Sequence, residues 1–403
     1  MAAEEGGGEM RTPDGCKLFG AQQALAGIQD GVILFHSVVG CNFGTMSLHV
    51  PADMRDIRQT CTVINDSDII FSGEDSLRKG IRNALELFHP SVLFVVSGCV
   101  SEMIGDHIEA VVSEFLGAVP IVYVEAAGFR GNALSGYQAA CRALLPYMQK
   151  RPASRKNVIN LLGLGGDDYR LEQDIAAVQD LLGKDFVLQP IPCRCTWKDI
   201  ENAPQAKLNL VFDRRGLELA EKMREQFDIP FEQLPFPYGI TGAKDLCRII
   251  SRYFAMNLEE KIAGMEQAVL KETGRVYPYL QALYGMPAAI IGNGSRADGM
   301  RRFLEQELGM EVVCCQHRES LSHLEDFYGA VRGSEAALLF GSSFELDLAE
   351  ELKIPLIRYD YPIFDEIALT GRPFAGAAGT PALLENILNK VLQTSILKGA
   401  LYQ

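Results

Sequence analysis

Short apolar runs separated by amphipathic stretches recur along the whole chain. The first third carries them at 31–38 (GVILFHSV), 92–96 (VLFVV) and 119–124 (VPIVYV). Runs of this length, bounded by glycine, proline and polar residues, predict buried strands. The stretches between them repeat with helical period, as in KLFGAQQALAGI after Cys16 and from Glu102 onward. Alternation of strand and helix predicts parallel sheets covered by helices. A basic, proline-bearing segment, QKRPASRKN at 149–157, reads as a linker. A second succession follows: NVINLLGLGG, helix-like EQDIAAVQDLLG, FVLQPI, LNLVF at 208–212 and helix-like GLELAEKMREQF. A long helical pattern then fills roughly 241–285, and PAAIIGNGS, MEVVCCQH, AALLFGSS and IPLIRYD make a third. The expected fold is α/β, with three Rossmann-like domains, each a parallel β-sheet flanked by helices. The expected division is a tail at 1–15 and domains at 16–150, 151–284 and 285–403.

The stretch SGCVSEMIGD, 97–106, stands where strand gives way to helix. Ser101 is the expected N-cap, so Cys99 falls at the carboxyl end of a strand, before a helix. Ligands of open α/β sheets bind at that edge, and a helix N-terminus there favours a thiolate. Cys41 has the same setting after the run 31–38, and Cys16 precedes the first helical pattern. Gly40 and Gly98, beside two of these thiols, allow close approach of the backbone to a ligand. From the residues alone two readings stay open: ordinary core cysteines, or three thiols converging on one point.

Charge and cysteine usage narrow the function. The formal net charge of −14 argues against nucleic acid as a partner, which calls for a basic face. Ten cysteines in an intracellular-looking chain suggest free thiols or metal ligands rather than disulfides. The acidic, glycine-rich MAAEEGGGEM resembles neither a signal peptide nor an anchor, and no apolar run has the roughly 18–20 residues of a membrane span. A cytoplasmic location is expected. GLGG at 163–166 lacks the lysine and serine of a P-loop and reads as a tight turn. Cys61 and Cys247 read as structural thiols. Cys193 and Cys195 would share a strand face, and Cys314 and Cys315 opposite faces. His36 reads as a satisfied near-core histidine and His107 as a surface one.

The flanks CKLFGA, HSVVGCNFG and SGCVSEMIGD, with RQTCTVINDSDIIFSGEDSLRKGI between the last two, resemble the nitrogenase component 1 family, and most its β-type subunits. The stretches KIPLIRYDYPIFD and GRPFAGAAGTPALLENILN agree, so the likeness runs from about Cys16 to about Leu392. The resemblance implies that Cys16, Cys41 and Cys99 ligate an iron–sulfur cluster, of 4Fe–4S or 8Fe–7S-like type, shared at a subunit interface. It implies an α-type partner in a heterotetramer, and an ATP-dependent iron protein as electron donor. Relatives reduce dinitrogen, tetrapyrroles or methylthio-alkanes. Gly128 stands where a β-type serine ligand would be, with Ser135 displaced from it. Asp213 stands where α-type subunits hold their cofactor through cysteine, and RYDYP, 358–362, offers no histidine. The expected function is the cluster-bearing β-type subunit of a nitrogenase-like reductase. A cofactor-assembly scaffold and a homodimeric tetrapyrrole reductase are the alternatives.

Overall fold

The computed structural model describes residues 15–48, 58–115, 117, 119–150, 157–165, 168, 170–254, 256–321, 323–367 and 371–397 of the chain. The N-terminal tail up to 14, most of the 149–157 linker and the end of the GLGG turn lie outside the described residues.

Three four-stranded parallel sheets follow one another. The first holds β1 (Gly31–His36), β2 (Gln59–Cys61), β3 (Val92–Ser97) and β4 (Ile121–Val124). The second holds β5 (Val158–Leu162), β6 (Val187–Ile191), β7 (Leu208–Val211) and β8 (Phe231–Gln233). The third holds β9 (Pro287–Gly292), β10 (Glu311–His317), β11 (Leu338–Gly341) and β12 (Leu356–Arg358). Each sheet has the same spatial order: the second strand, then the first, third and fourth. The order reverses between the first and third strands, where a crevice opens at their carboxyl ends. The two central strands of the first sheet are wholly buried, as their unbroken apolar runs require.

One close helix pair fixes the site's geometry. The Lys17–Leu25 and Ala133–Leu144 helices both cover one face of the first sheet, sharing a core with Ile33, Phe35, Phe94 and Val96. Their backbones touch at Gly20 and Gly136, where any Cβ would strike the partner helix's backbone at Ala133 or Lys17. Glycine is required there by approach. The last helix, Gly376–Leu397, returns from the third sheet to pack on the Leu171–Leu182, Gly239–Phe254 and Glu259–Thr273 helices of the middle unit. The buried Asp174 carboxylate anchors that return by accepting from Phe374 N at 2.6 Å and Ala375 N at 2.8 Å.

Candidate functional site at the first sheet's carboxyl edge

Cys16 is the N-cap of the Lys17–Leu25 helix and bridges to Asn132, in the segment that follows β4's carboxyl end. Backbone hydrogen bonds hold it: Lys17 N donates to Gly131 O at 3.0 Å, and Ala133 N to Gly15 O at 3.1 Å. Cys99 follows β3 and is already the first residue of the Cys99–Ile104 helix. The expected cap at Ser101 is therefore displaced: Gly98 is the N-cap, and the Ser101 hydroxyl reaches back to accept from Gly98 N at 3.1 Å. That hydroxyl also donates to His36 O at 2.8 Å, so the helix start is tied to β1.

The two thiols converge on Gly128. Its N–H donates to Cys99 Sγ at 3.1 Å. A Cβ on Gly128 would lie 3.2 Å from Cys99 Sγ and 3.3 Å from Cys16 Sγ. The turn Gly128–Arg130 is thus a floor beneath both sulfurs, and the missing side chain leaves room above it. Glu102 holds that floor in place. Its carboxylate accepts from Ala127 N at 3.1 Å and from the Ser97 hydroxyl, and pairs with Arg130 Nε at 3.0 Å.

Cys41 lies in the first turn of the Val39–Leu48 helix, which begins earlier than a loop after β1 would suggest. Half-buried, it packs on the same core as the Lys17–Leu25 helix. Its neighbour Cys61 donates to Ser37 O at 3.2 Å, and burial raises the Cys61 thiol, with Cys41 adding to the effect. The structure therefore brings Cys16 and Cys99 to one glycine and sets Cys41 in the helix that follows the adjoining strand. Among the described residues no three His, Cys, Asp or Glu side chains close on a single metal ion. Gly40 has open space where its Cβ would be, whereas a Cβ on Gly98 would collide with the Ser37 hydroxyl.

The edge around these thiols is apolar and exposed. Val39 and Phe43 (72% exposed) follow β1, Ile70 and Phe71 (83%) follow β2, Met103 follows β3 and Phe129 follows β4. Exposed apolar residues gathered on one edge mark an interaction surface. On its opposite face β1 carries Val32 and Leu34 into an apolar core and ends in a closed polar cluster. His36 is buried, with Nε2 2.9 Å from Asp106 Oδ2 and Nδ1 3.0 Å from Thr62 Oγ1. Burial lowers its pKa, against the pull of Asp106. His107 is exposed and pairs with Glu74.

Asp213 belongs elsewhere. It caps the Arg214–Gly216 turn after β7, accepting from Arg215 N at 2.8 Å and pairing with Arg215 Nε at 3.1 Å. It faces a crevice between the second and third sheets that also holds Asp168, Arg296 and Asp360. Arg296 fills it: the guanidinium pairs with Asp168, lies 3.6 Å from Asp360 and donates to the Tyr238 hydroxyl at 3.0 Å. The remaining cavity is about 10 Å³, about the space of one water. Cys314 and Cys315 do face opposite sides of β10, packing on different cores. Cys193, Cys195 and Cys247 are buried. Glu102 and Ser37 carried no signal in the sequence, because Ala127 lies 25 residues from Glu102, and Gly98 about 60 from Ser37, so only the fold joins them.

A profile of the family described as nitrogenase component 1 type oxidoreductase matches residues 16–392. The chain is 31% identical to a nitrogenase iron-molybdenum cofactor biosynthesis protein, NifE, of Clostridium pasteurianum, over 74% of this chain and 67% of that one. It is 23% identical to a nitrogenase molybdenum-iron protein beta chain of Methanococcus maripaludis, over 94% of this chain and 93% of the other. Its fold superimposes on a solved nitrogenase Cp1 chain with a TM-score of 0.81, at 19% identity, covering 96% of this chain and 90% of that one.

Proposed function

This chain belongs to the nitrogenase component 1 type oxidoreductase family, and on that premise we propose that it is the iron–sulfur-bearing, β-type subunit of a nitrogenase-like reductase. The observation that carries the reading is the convergence of Cys16 and Cys99 over Gly128 on an exposed apolar edge. Cys16, Cys41 and Cys99 are the proposed ligands. Thiolates are the soft donors that iron–sulfur clusters take. The residues fit such a group: Gly128 leaves a cradle that a side chain would fill, and its N–H already points at a ligand sulfur. When bound, the cluster supplies one-electron storage between a donor and a substrate site.

The chain's own residues have separate tasks. The Gly15–Ala133 and Lys17–Gly131 bonds hold Cys16, Gly128 N orients Cys99, and Glu102 keeps the Gly128 turn from drifting. Val39, Phe43, Phe71, Met103 and Phe129 would be covered by an α-type partner, excluding water from the thiols and supplying the remaining ligands. A heterotetramer follows if that pair dimerises, and an ATP-dependent iron protein is the proposed donor. Among the described residues, Arg296 and its partners occupy the crevice between the second and third sheets, which supports a substrate site on the partner. The second reading, a subunit of a cofactor-assembly scaffold, is favoured by the 31% identity to NifE.

Anaerobic purification from the native source tests both readings. A reductase subunit is expected with an α-type chain, bound iron and sulfide, and substrate reduction driven by an iron protein and ATP. A scaffold is expected with bound cofactor precursor and no turnover. A chain that stays monomeric with a full complement of iron would contradict both.

A further inference from the structure

Ser37 is the first residue after β1, and it is completely buried. Its carbonyl is used twice, accepting from Cys61 Sγ at 3.2 Å and from Ile64 N at 3.0 Å. Its hydroxyl is not: among the described residues Oγ has no hydrogen-bond partner. Buried hydroxyls in folded proteins are almost always paired, so this one needs an explanation. Its position supplies one. Alternation along β1 puts Ser37 on the face of Ile33 and Phe35, the face covered by the helix that Cys16 begins. The hydroxyl sits against Gly98, the residue before Cys99, and occupies the place of that residue's missing Cβ. Four residues further on, Cys41 lies in the helix that leaves the same strand. The unpaired donor thus lies between the strand that leads to Cys41 and the residue that precedes Cys99.

We propose that the Ser37 hydroxyl donates a hydrogen bond to a sulfur of the group held by Cys16, Cys41 and Cys99, a proposal that rests on the iron–sulfur reading above. A neutral hydroxyl has one proton to give, and sulfide and thiolate are acceptors. A hydrogen bond to cluster sulfur draws off negative charge and favours the reduced form, so it raises the reduction potential. Ser37 is then a positioning and tuning residue, not a ligand.

The test compares Ser37→Ala with the parent complex, purified anaerobically with whatever chain accompanies it. Ser135→Ala is the control, since the Ser135 hydroxyl is satisfied by Asn132 O at 2.7 Å. Iron and acid-labile sulfide per chain are expected to be unchanged in Ser37→Ala, while the midpoint of an EPR-monitored redox titration moves to lower potential. The control should move neither. After chelation of the iron, Ser37→Ala should unfold at the same or a higher denaturant concentration than the stripped parent, because the lost hydroxyl has no partner within the chain. An unmoved midpoint with full iron overturns the proposal and leaves the iron–sulfur reading standing. Loss of iron in Ser37→Ala overturns it in favour of direct ligation. A parent complex without iron and sulfide overturns the reading and the proposal together.

Discussion

Removing the Glu102 side chain should loosen the Gly128 turn far more than the rest of the first domain. The carboxylate is almost fully buried and serves three groups: Ala127 N, the Ser97 hydroxyl and Arg130 Nε. In Glu102→Ala the Ala127 N–H is left buried without an acceptor, a cost of about 1–3 kcal/mol. The Arg130 pair adds less, about 0–1 kcal/mol, because that guanidinium is half-exposed and screened. Together they come to about 1–4 kcal/mol of local stability. Each 1.4 kcal/mol is about tenfold in an opening equilibrium, so amide exchange across 125–131 should accelerate by about 5- to 700-fold. Hydrogen exchange read by mass spectrometry on that peptide is the assay. Arg130→Ala should accelerate it less than about fivefold, which separates the buried acceptor from the ion pair. Exchange in Glu102→Ala that equals the parent's, or that of Arg130→Ala, would refute the role given to this carboxylate.

Two further outcomes follow from the packing. Gly136→Ala should destabilise the first domain by about 1–3 kcal/mol, although alanine is the better helix former by about 1 kcal/mol, because its Cβ would sit on the Lys17 backbone; unchanged thermal unfolding would contradict the close approach of the two helices. Burial pushes the Asp174 carboxyl up from 3.8 to about 6, so between those values the native state holds more protons than the unfolded chain. The resulting stability is complete below about pH 4 and falls, by an amount on the order of 3 kcal/mol, as the pH rises through about 6. Denaturation curves across that window should show the loss in the parent and not in Asp174→Asn; equal slopes would remove the assignment.

The architecture was legible because parallel strands buried on both faces must be apolar throughout, as in GVILFH and VLFVVS. Strands β2 (QTC) and β8 (FEQ) escaped, being three residues long, half-polar and at or beside a sheet edge. Cys41 and Cys99 could be placed at strand ends from local pattern alone. The start of each helix could not: at Cys99 it depends on Ser101 bonding to His36 O, 65 residues back in the chain. The meeting of Cys16 and Cys99 was illegible for the same reason. It depends on two helices touching through Gly20 and Gly136, a contact that no short-range pattern encodes. The orphan hydroxyl of Ser37 was hidden because a serine after a strand normally reads as turn chemistry.

Iron content per chain in Cys99→Ala, set against Cys247→Ala, tests the proposed cluster site most directly. Cys99 touches the Gly128 cradle, whereas Cys247 is buried in the core of the middle unit. Both variants would be purified anaerobically with the partner chain and assayed for iron, acid-labile sulfide and EPR signal. Cys99→Ala is expected to lose iron and signal together, and Cys247→Ala to keep the values of the parent. Full iron and an unaltered spectrum in Cys99→Ala would place the metal group elsewhere and contradict the proposed function.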